Sequence, residues 1–455
     1  MSVFTALTTA YKIEEAFGAK DITTPEMRKA ISEWFDLYYN REATKDSDPS
    51  QRIAFTVVNK LTRTCFGEYS ASSKDEFAQM LLDRLELIRK KAMQIAMIGG
   101  ESFLKPVFTP SGIVFTAIRR DDVLVFGRAV DGSPMDIGTV ERTTQGRFFY
   151  TLLERRSVDA AGRLTIRNKL YRSDTVGSIG QPVPLGTLEQ YAQLAEEYTY
   201  TEPLGGLGLV HMKVPVENTV DGSHDGVSVY APAAGLIHNI DRNEAQINGE
   251  FERGQSKVFA SADLMTRDKS GRRSFSDDVF VALDESPEDM GITIFSPELR
   301  EQSFLNRKQE YLRNVETLIG IKRGLLSEVE AQERTAKEIT SSEGDYNLTI
   351  IDLQEVWRKA VVDAMALCGK LGKLYRVPGA HEIAEDAVVI DWGNGVLYDE
   401  EKTWADYLDM VARGLIKPEI ALGWRFNMPT ETESDLQKIR AKYMPEIKAL
   451  VDGDA

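Results

Sequence analysis

The chain has 455 residues, with 55 Lys and Arg against 71 Asp and Glu, a formal charge of −16 at pH 7. At roughly 150 residues per domain this length predicts about three domains, and 42% hydrophobic with 28% charged residues excludes a disordered or fibrous chain. The acidic balance also excludes a passive nucleic-acid coat, whose affinity rests on surplus Lys and Arg.

No window reaches the ~18 consecutive apolar residues of a membrane-spanning helix. The opening Met1-Ser2-Val3-Phe4-Thr5-Ala6-Leu7 has no basic n-region, so secretion is not expected. Cys65 and Cys368 lie in apolar helical patterns and are expected to be buried free thiols.

The first hundred residues read as helical. Thr23 to Glu26 has capping-box spacing with Pro25 in the opening turn, and Met27, Ile31, Trp34, Phe35 and Tyr38 follow at helical intervals. Polar residues 41–50 form a loop. Helices are expected at about 52–67 and 75–98, the second carrying Phe77, Leu81, Leu85, Ile88 and Ile95 and stopping at Gly99-Gly100.

From 101 to 215 the period changes to two, which predicts an antiparallel β-rich block. Leu164, Ile166 and Leu170 alternate with Thr165, Arg167 and Lys169, and a turn at Asp159-Ala160-Ala161-Gly162 joins this strand to 148–153 as a hairpin with one wet face. Shorter strands are expected at 102–108, 112–118 and 122–129.

Residues 231–256 return to a helical pattern, with Leu236, Ile237, Ile240, Ala245, Ile247 and Phe251 as the apolar positions. A turn-rich insert spans 257–295, and a second helix runs over about 297–320 with Leu305, Leu312, Val315 and Ile319. Two helices of matched length flanking one insert predict an antiparallel pair holding a small module at its far end. After an irregular stretch at 321–336, Ile350, Leu353, Trp357, Ala360, Val361, Ala364, Cys368 and Leu371 form the widest apolar stripe in the chain. The tail reads as a strand at 387–392 and helices at about 402–413, 417–423 and 432–450.

Enzyme motifs fail one by one. His381-Glu382-Ile383-Ala384-Glu385 begins like a zinc-protease helix but places Glu385 at the second histidine position, and reads as a pair of carboxylates at a loop or helix edge. Gly206-Leu207-Gly208 starts a dinucleotide fingerprint, yet His211 stands at the third glycine and Met212-Lys213-Val214-Pro215 looks extended; a glycine loop feeding a strand fits better. Ser223-His224-Asp225 holds triad residue types side by side, where their side chains diverge, and is read as turn chemistry. No GxxxxGK[ST] motif is present. No catalytic residue, metal site or cofactor is therefore assigned.

Two charged clusters remain. Arg267, Lys269, Arg272 and Arg273 stand in the insert, followed by Asp277, Asp278, Asp284, Glu285, Glu288 and Asp289, which fits either a solvated loop or a docking surface for a protein partner. Lys322 and Arg323 stand beside Gly320 and Gly324 where a helix gives way to a loop, a position that also favours the helix macrodipole.

In this order the pieces resemble the portal proteins of tailed bacteriophages, particularly phages with long non-contractile tails. Arg147–Ser173 (RFFYTLLERRSVDAAGRLTIRNKLYRS) resembles the family's wing hairpin, and His211–Phe251 its approach to the first stem helix. Glu333–Ile350 (ERTAKEITSSEGDYNLTI) resembles the segment opening the long helix after the tunnel loop. Glu401–Tyr443 resembles the crown, with Ala412-Arg413-Gly414-Leu415-Ile416-Lys417-Pro418-Glu419 turning between two helices.

The resemblance implies an α+β portal fold. Residues 1–230 and about 337–397 would form the wing, 231–256 and 296–320 a two-helix stem, 257–295 a small α/β clip, 321–336 the tunnel loop before a long helix, and 398–455 a helical crown. It implies a ring of about twelve subunits at one capsid vertex, in the virion and, during assembly, in the host cytoplasm. Duplex DNA would pass through the axial channel. The partners implied are a terminase large subunit, a head-completion adaptor, and the major capsid and scaffolding proteins, with no membrane. The candidate channel and tunnel-loop residues are Glu310, Glu316, Lys322, Arg323, Ser327, Glu328 and Glu330; the candidate clip docking residues are Arg267, Lys269, Arg272, Arg273, Asp277 and Asp278. The competing readings are a minor capsid or head–tail protein without a DNA channel, and a hydrolase using scattered acids of the β-rich block.

Overall fold

The computed structural model describes residues 12–41, 48–109, 112–253, 257–260, 265–267, 273–275, 292–295, 300–328, 336–393, 400–426, 428–430 and 432–444; at 253, in the four segments between 257 and 295, at 336–345 and at 400–403 it describes the backbone alone. The chain is mixed α and β, as expected, and divides into two compact units: Met1–Phe66 with Ala71–Ile390, and Gly67–Ser70 with Asp391–Ala455.

The larger unit opens with helices α1 (12–17), α2 (Pro25–Tyr39) and α3 (Ile53–Cys65), then the short strand β1 (Ser70–Ser73) and the long helix α4 (Glu76–Gly99). The cap of α2 sits one residue later than the capping-box spacing implied. Pro25, which has no N–H to satisfy, takes the first helical position, so Thr24 becomes the cap and accepts the Met27 N–H at 3.1 Å. Thr23 is buried and accepts a hydrogen bond from Arg120 instead. Asp75 caps α4, accepting from the Phe77 and Ala78 N–H groups at 2.9 and 3.0 Å. Gly100 ends α4 at φ +79°, and a Cβ there would lie 2.2 Å from the Val227 nitrogen, so both conformation and space require glycine.

Nine strands, β2 to β10, follow α4 and form two sheets. Strands β2 (Glu101–Thr109) and β3 (Gly112–Arg119) pair antiparallel against α4, and β4 (Val123–Arg128), β5 (Pro134–Gln145), β6 (Phe148–Val158), β7 (Leu164–Ser173) and β8 (Gln181–Val183) lie side by side in one sheet. Strand β9 (Glu197–Thr199) also pairs with β7, and β10 (Val210–Lys213) pairs with β2. The expected hairpin is β6–β7, in register from Phe149↔Ser173 to Val158↔Leu164. Leu164 and Leu170 are buried while Arg167 and Lys169 are exposed, the alternation of a sheet wet on one face.

Helix α5 (Ala234–Arg253) leaves this block through a 3₁₀ turn at Ala231–Ala233, anchored by the fully buried Tyr230, whose hydroxyl donates to the Trp34 carbonyl at 2.7 Å. The insert holds β11 (Lys257–Ala260), β12 (Met265–Arg267), β13 (Arg273–Phe275) and β14 (Ile292–Phe295). β12–β13 is nested inside β11–β14, both antiparallel. Helix α6 (Glu301–Ile319) returns, and α7 (Ala336–Leu374) is the next helix in the chain. Every residue of the predicted α7 stripe is buried, from Ile350 at 0% exposure to Leu371 at 4%, and Trp357 packs edge-on against Phe66. Burial pushes the free thiols of Cys65 and Cys368 up to about 12. Strand β15 (Val388–Asp391) pairs with β1.

The smaller unit holds α8 (Glu400–Ala412), α9 (Pro418–Arg425) and α10 (Glu433–Tyr443). The expected turn between α8 and α9 is present, with Gly414 at φ +70° and Pro418 in the first turn of α9. Glu419 is buried and accepts from the Arg440 guanidinium at 2.6 Å; Phe426 stacks on Tyr443 at 4.2 Å.

Candidate functional site

Helices α5 and α6, of 20 and 19 residues, run antiparallel over about 30 Å. Asn243 donates to the Phe304 carbonyl at 3.0 Å, Lys308 to Glu244 at 2.9 Å, and Arg300 to both oxygens of Glu250 at 3.0 Å, so contacts ascend one helix as they descend the other. The buried seam of α5 is Ile237, Ile240, Asn243 and Ile247. Ala245 and Phe251, expected on that face, are exposed, because a helix packed on one main partner buries a narrow stripe. The buried residues of α6 (Leu312, Val315, Glu316 and Ile319) lie toward the loop end, and Leu305 is exposed. The insert-bearing end of the pair therefore extends away from the core of its unit.

At the other end, the loop 320–328 is tied down from three helices. Gly320 (φ +70°) and Gly324 (φ +92°) supply left-handed backbone. Lys60 of α3 donates to the Leu325 carbonyl at 2.9 Å, Thr349 of α7 to the Gly320 carbonyl at 3.1 Å, and the Glu328 N–H to Gln309 of α6 at 2.8 Å. The Glu316 carboxylate accepts the N–H groups of Gly324, Leu326 and Ser327 at 3.1, 2.6 and 2.9 Å on one oxygen, and the Ser327 hydroxyl at 2.7 Å on the other.

Two of the expected channel residues are corrected by this geometry. Glu316 is 1% exposed and Ser327 is buried with it, so both turn inward to fold the loop and neither offers a surface to a passing ligand. As a channel residue Glu316 would have to face solvent; four donors from its own loop hold it inside instead. Glu310, with its side chain 64% exposed, Arg323 and Glu328 are on the surface, and Lys322 is half-buried. Glu330 lies outside the described residues, as do Lys269, Arg272, Asp277 and Asp278. Arg267 and Arg273 are register partners at one end of β12–β13.

No protein-family model matches this chain, and no curated protein matches it in sequence. Among the described residues no group of three or more His, Cys, Asp and Glu is placed to hold a metal ion, and no helix is long and apolar enough to cross a membrane.

Sequence reading missed a buried ionic network in the larger unit. Arg120, with 0% exposure, donates to Glu101 at 2.7 Å, to Asp225 at 3.0 Å, to Thr23 at 3.0 Å and to the Val123 carbonyl at 2.8 Å. Arg128 also reaches Asp225, and His211 contacts the second Glu101 oxygen at 2.8 Å while stacking on Phe103. Burial opposes ionisation of Glu101, but the His211 hydrogen bond and the Arg120 charge outweigh it and hold the carboxyl far below its usual range. These groups lie up to about 200 positions apart, and only the fold brings them together.

The motif fragments take their bland roles. Ser223 and Asp225 sit in a turn around Asn218, and the Asp225 carboxylate faces Arg120, with His224 outside the relay. Gly208 (φ +65°) feeds β10. His381 lies in a non-helical segment and contacts Asp75, the cap of α4.

Proposed function

We propose that the chain is a portal subunit: a member of a closed ring through whose axis duplex DNA enters and leaves a capsid. One observation carries the reading. An antiparallel pair of 20- and 19-residue helices holds a small nested β insert at one end and the fastened loop 320–328 at the other, and the next helix in the chain has 39 residues. Helix pair, insert, loop and long helix then correspond to stem, clip, tunnel loop and the return to the wing, with α8–α10 as the crown. In this reading the clip, including Arg267 and Arg273, meets the terminase during packaging and an adaptor afterwards.

The charge balance supports passage without adhesion. Duplex DNA carries about one negative charge per 1.7 Å of axis, and each Lys or Arg contact to phosphate acts as a brake. Exposed carboxylates such as Glu310 and Glu328 act within a Debye length of about 8 Å and keep DNA loosely held. The test is retention of linear duplex DNA by the purified full chain across a salt series. The wild type is expected to retain little, and a Glu310→Lys/Glu328→Lys variant to retain more, with a salt dependence steeper by about two charges. Tight, steeply salt-dependent binding by the wild type, or no change in the double variant, overturns the acidic-lining account.

A further inference from the structure

We propose that the loop 320–328 is an oxyanion nest whose resident ligand is the chain's own Glu316 carboxylate, so that the loop is ordered by an internal ligand before any partner arrives. Three backbone N–H groups from four consecutive residues, Gly324, Leu326 and Ser327, converge on Oε1, and the Ser327 hydroxyl closes on Oε2. Convergent loop N–H groups are the device with which proteins hold phosphates and other anions; here the anion arrives from the last turns of α6. Burial makes the arrangement mutual. A polar side chain with 1% exposure needs hydrogen-bond partners, and the N–H of the buried Ser327 needs an acceptor.

The remaining ties do not substitute for it. Lys60 and Thr349 hold carbonyls of the loop, and Gln309 holds the N–H of Glu328, so none of them touches the three N–H groups that Glu316 collects. Removing the carboxylate leaves those donors aimed at a vacated space of carboxylate size, which fits acetate or formate. The consequence for the protein is a fixed base for Lys322 and Arg323, set by α6 itself. It holds whether or not the chain is a portal subunit.

The experiment is hydrogen exchange by mass spectrometry on the full chain, followed over peptides covering 321–328 and, as an internal control, 350–371. In Glu316→Gln, which keeps one acceptor oxygen but removes the charge that strengthens its hydrogen bonds, exchange over 321–328 is expected to rise about tenfold with the control unchanged. In Glu316→Ala the same rise is expected, and sodium acetate reverses it where sodium chloride at equal ionic strength does not. Rapid exchange of the loop in the wild type overturns the proposal, as does exchange in Glu316→Gln within about twofold of wild type. A rise in Glu316→Ala that acetate and formate leave untouched overturns the nest. Should Glu316→Ala fail to fold, Glu316→Gln alone decides.

Discussion

Arg120 and Glu101 meet at 2.7 Å with neither side chain exposed to any degree. The pair joins the short turn after β3 to the first residue of β2, and Asp225 reaches the same guanidinium from the segment leading to α5. Three stretches of chain are thus registered through one cation.

Removing that cation takes from Glu101 and Asp225 the partner they share, and leaves Arg128 and His211 to hold two buried carboxylates. Arg120→Leu is expected to cost about 3–5 kcal/mol, since breaking a buried pair leaves its partner charges under-compensated. The urea midpoint of the variant measures it; a loss below about 1 kcal/mol contradicts the role given to Arg120.

Acid should unfold the protein through its buried glutamates. Glu154 is buried, which opposes ionisation, but Arg156 and Lys105 outweigh burial and bring it from 4.5 down to about 2; Glu101 is depressed further in the same direction. A folded pKa below the unfolded one means that the unfolded chain binds protons first. The stabilisation is therefore complete above about pH 4.5 and is lost as pH falls toward 2. Urea midpoints measured from pH 7 to pH 3 should fall most steeply below pH 4.5, and Glu154→Gln should flatten that slope; an unchanged slope contradicts the assignment.

Asn243 is 2% exposed between the paired helices, and its Oδ1 has no hydrogen-bond partner among the described residues. Its only gain there is the bond to the Phe304 carbonyl. Asn243→Leu removes a buried orphan acceptor and is expected to leave stability unchanged or raise it by up to about 2 kcal/mol. A loss of more than about 1 kcal/mol in thermal or urea unfolding would show that the asparagine has a partner that matters.

Trp357 and Leu348 share α7 but not its environment, at 0% and 61% exposure. Trp357→Ala should cost about 3–5 kcal/mol through the cavity it leaves, and Leu348→Ala less than about 0.5 kcal/mol. Equal effects would mean that the stripe is not the inner face of the helix.

Those two positions also show what the sequence could reveal. The α7 stripe was legible because eight apolar side chains at helical spacing admit one burial face, and the β6–β7 hairpin because alternation and an Asp-to-Gly turn fix both register and faces. The paired helices flanking an insert were legible as lengths and order, but the nested strand pairing within the insert was not. The ion network was not, because Glu101, Arg120 and Asp225 carry no local pattern and are assembled only by tertiary structure. The inward turn of Glu316, named as a channel candidate, was not legible for a related reason: its ligands are mostly backbone N–H groups, which every residue but proline has and which no sequence pattern marks.

Negative-stain electron microscopy of the purified chain tests the proposed function most directly. Closed rings of about twelve subunits with an axial hole are the predicted result. Monomers or dimers with a deep cleft would contradict the portal reading and leave the paired helices without a channel to line.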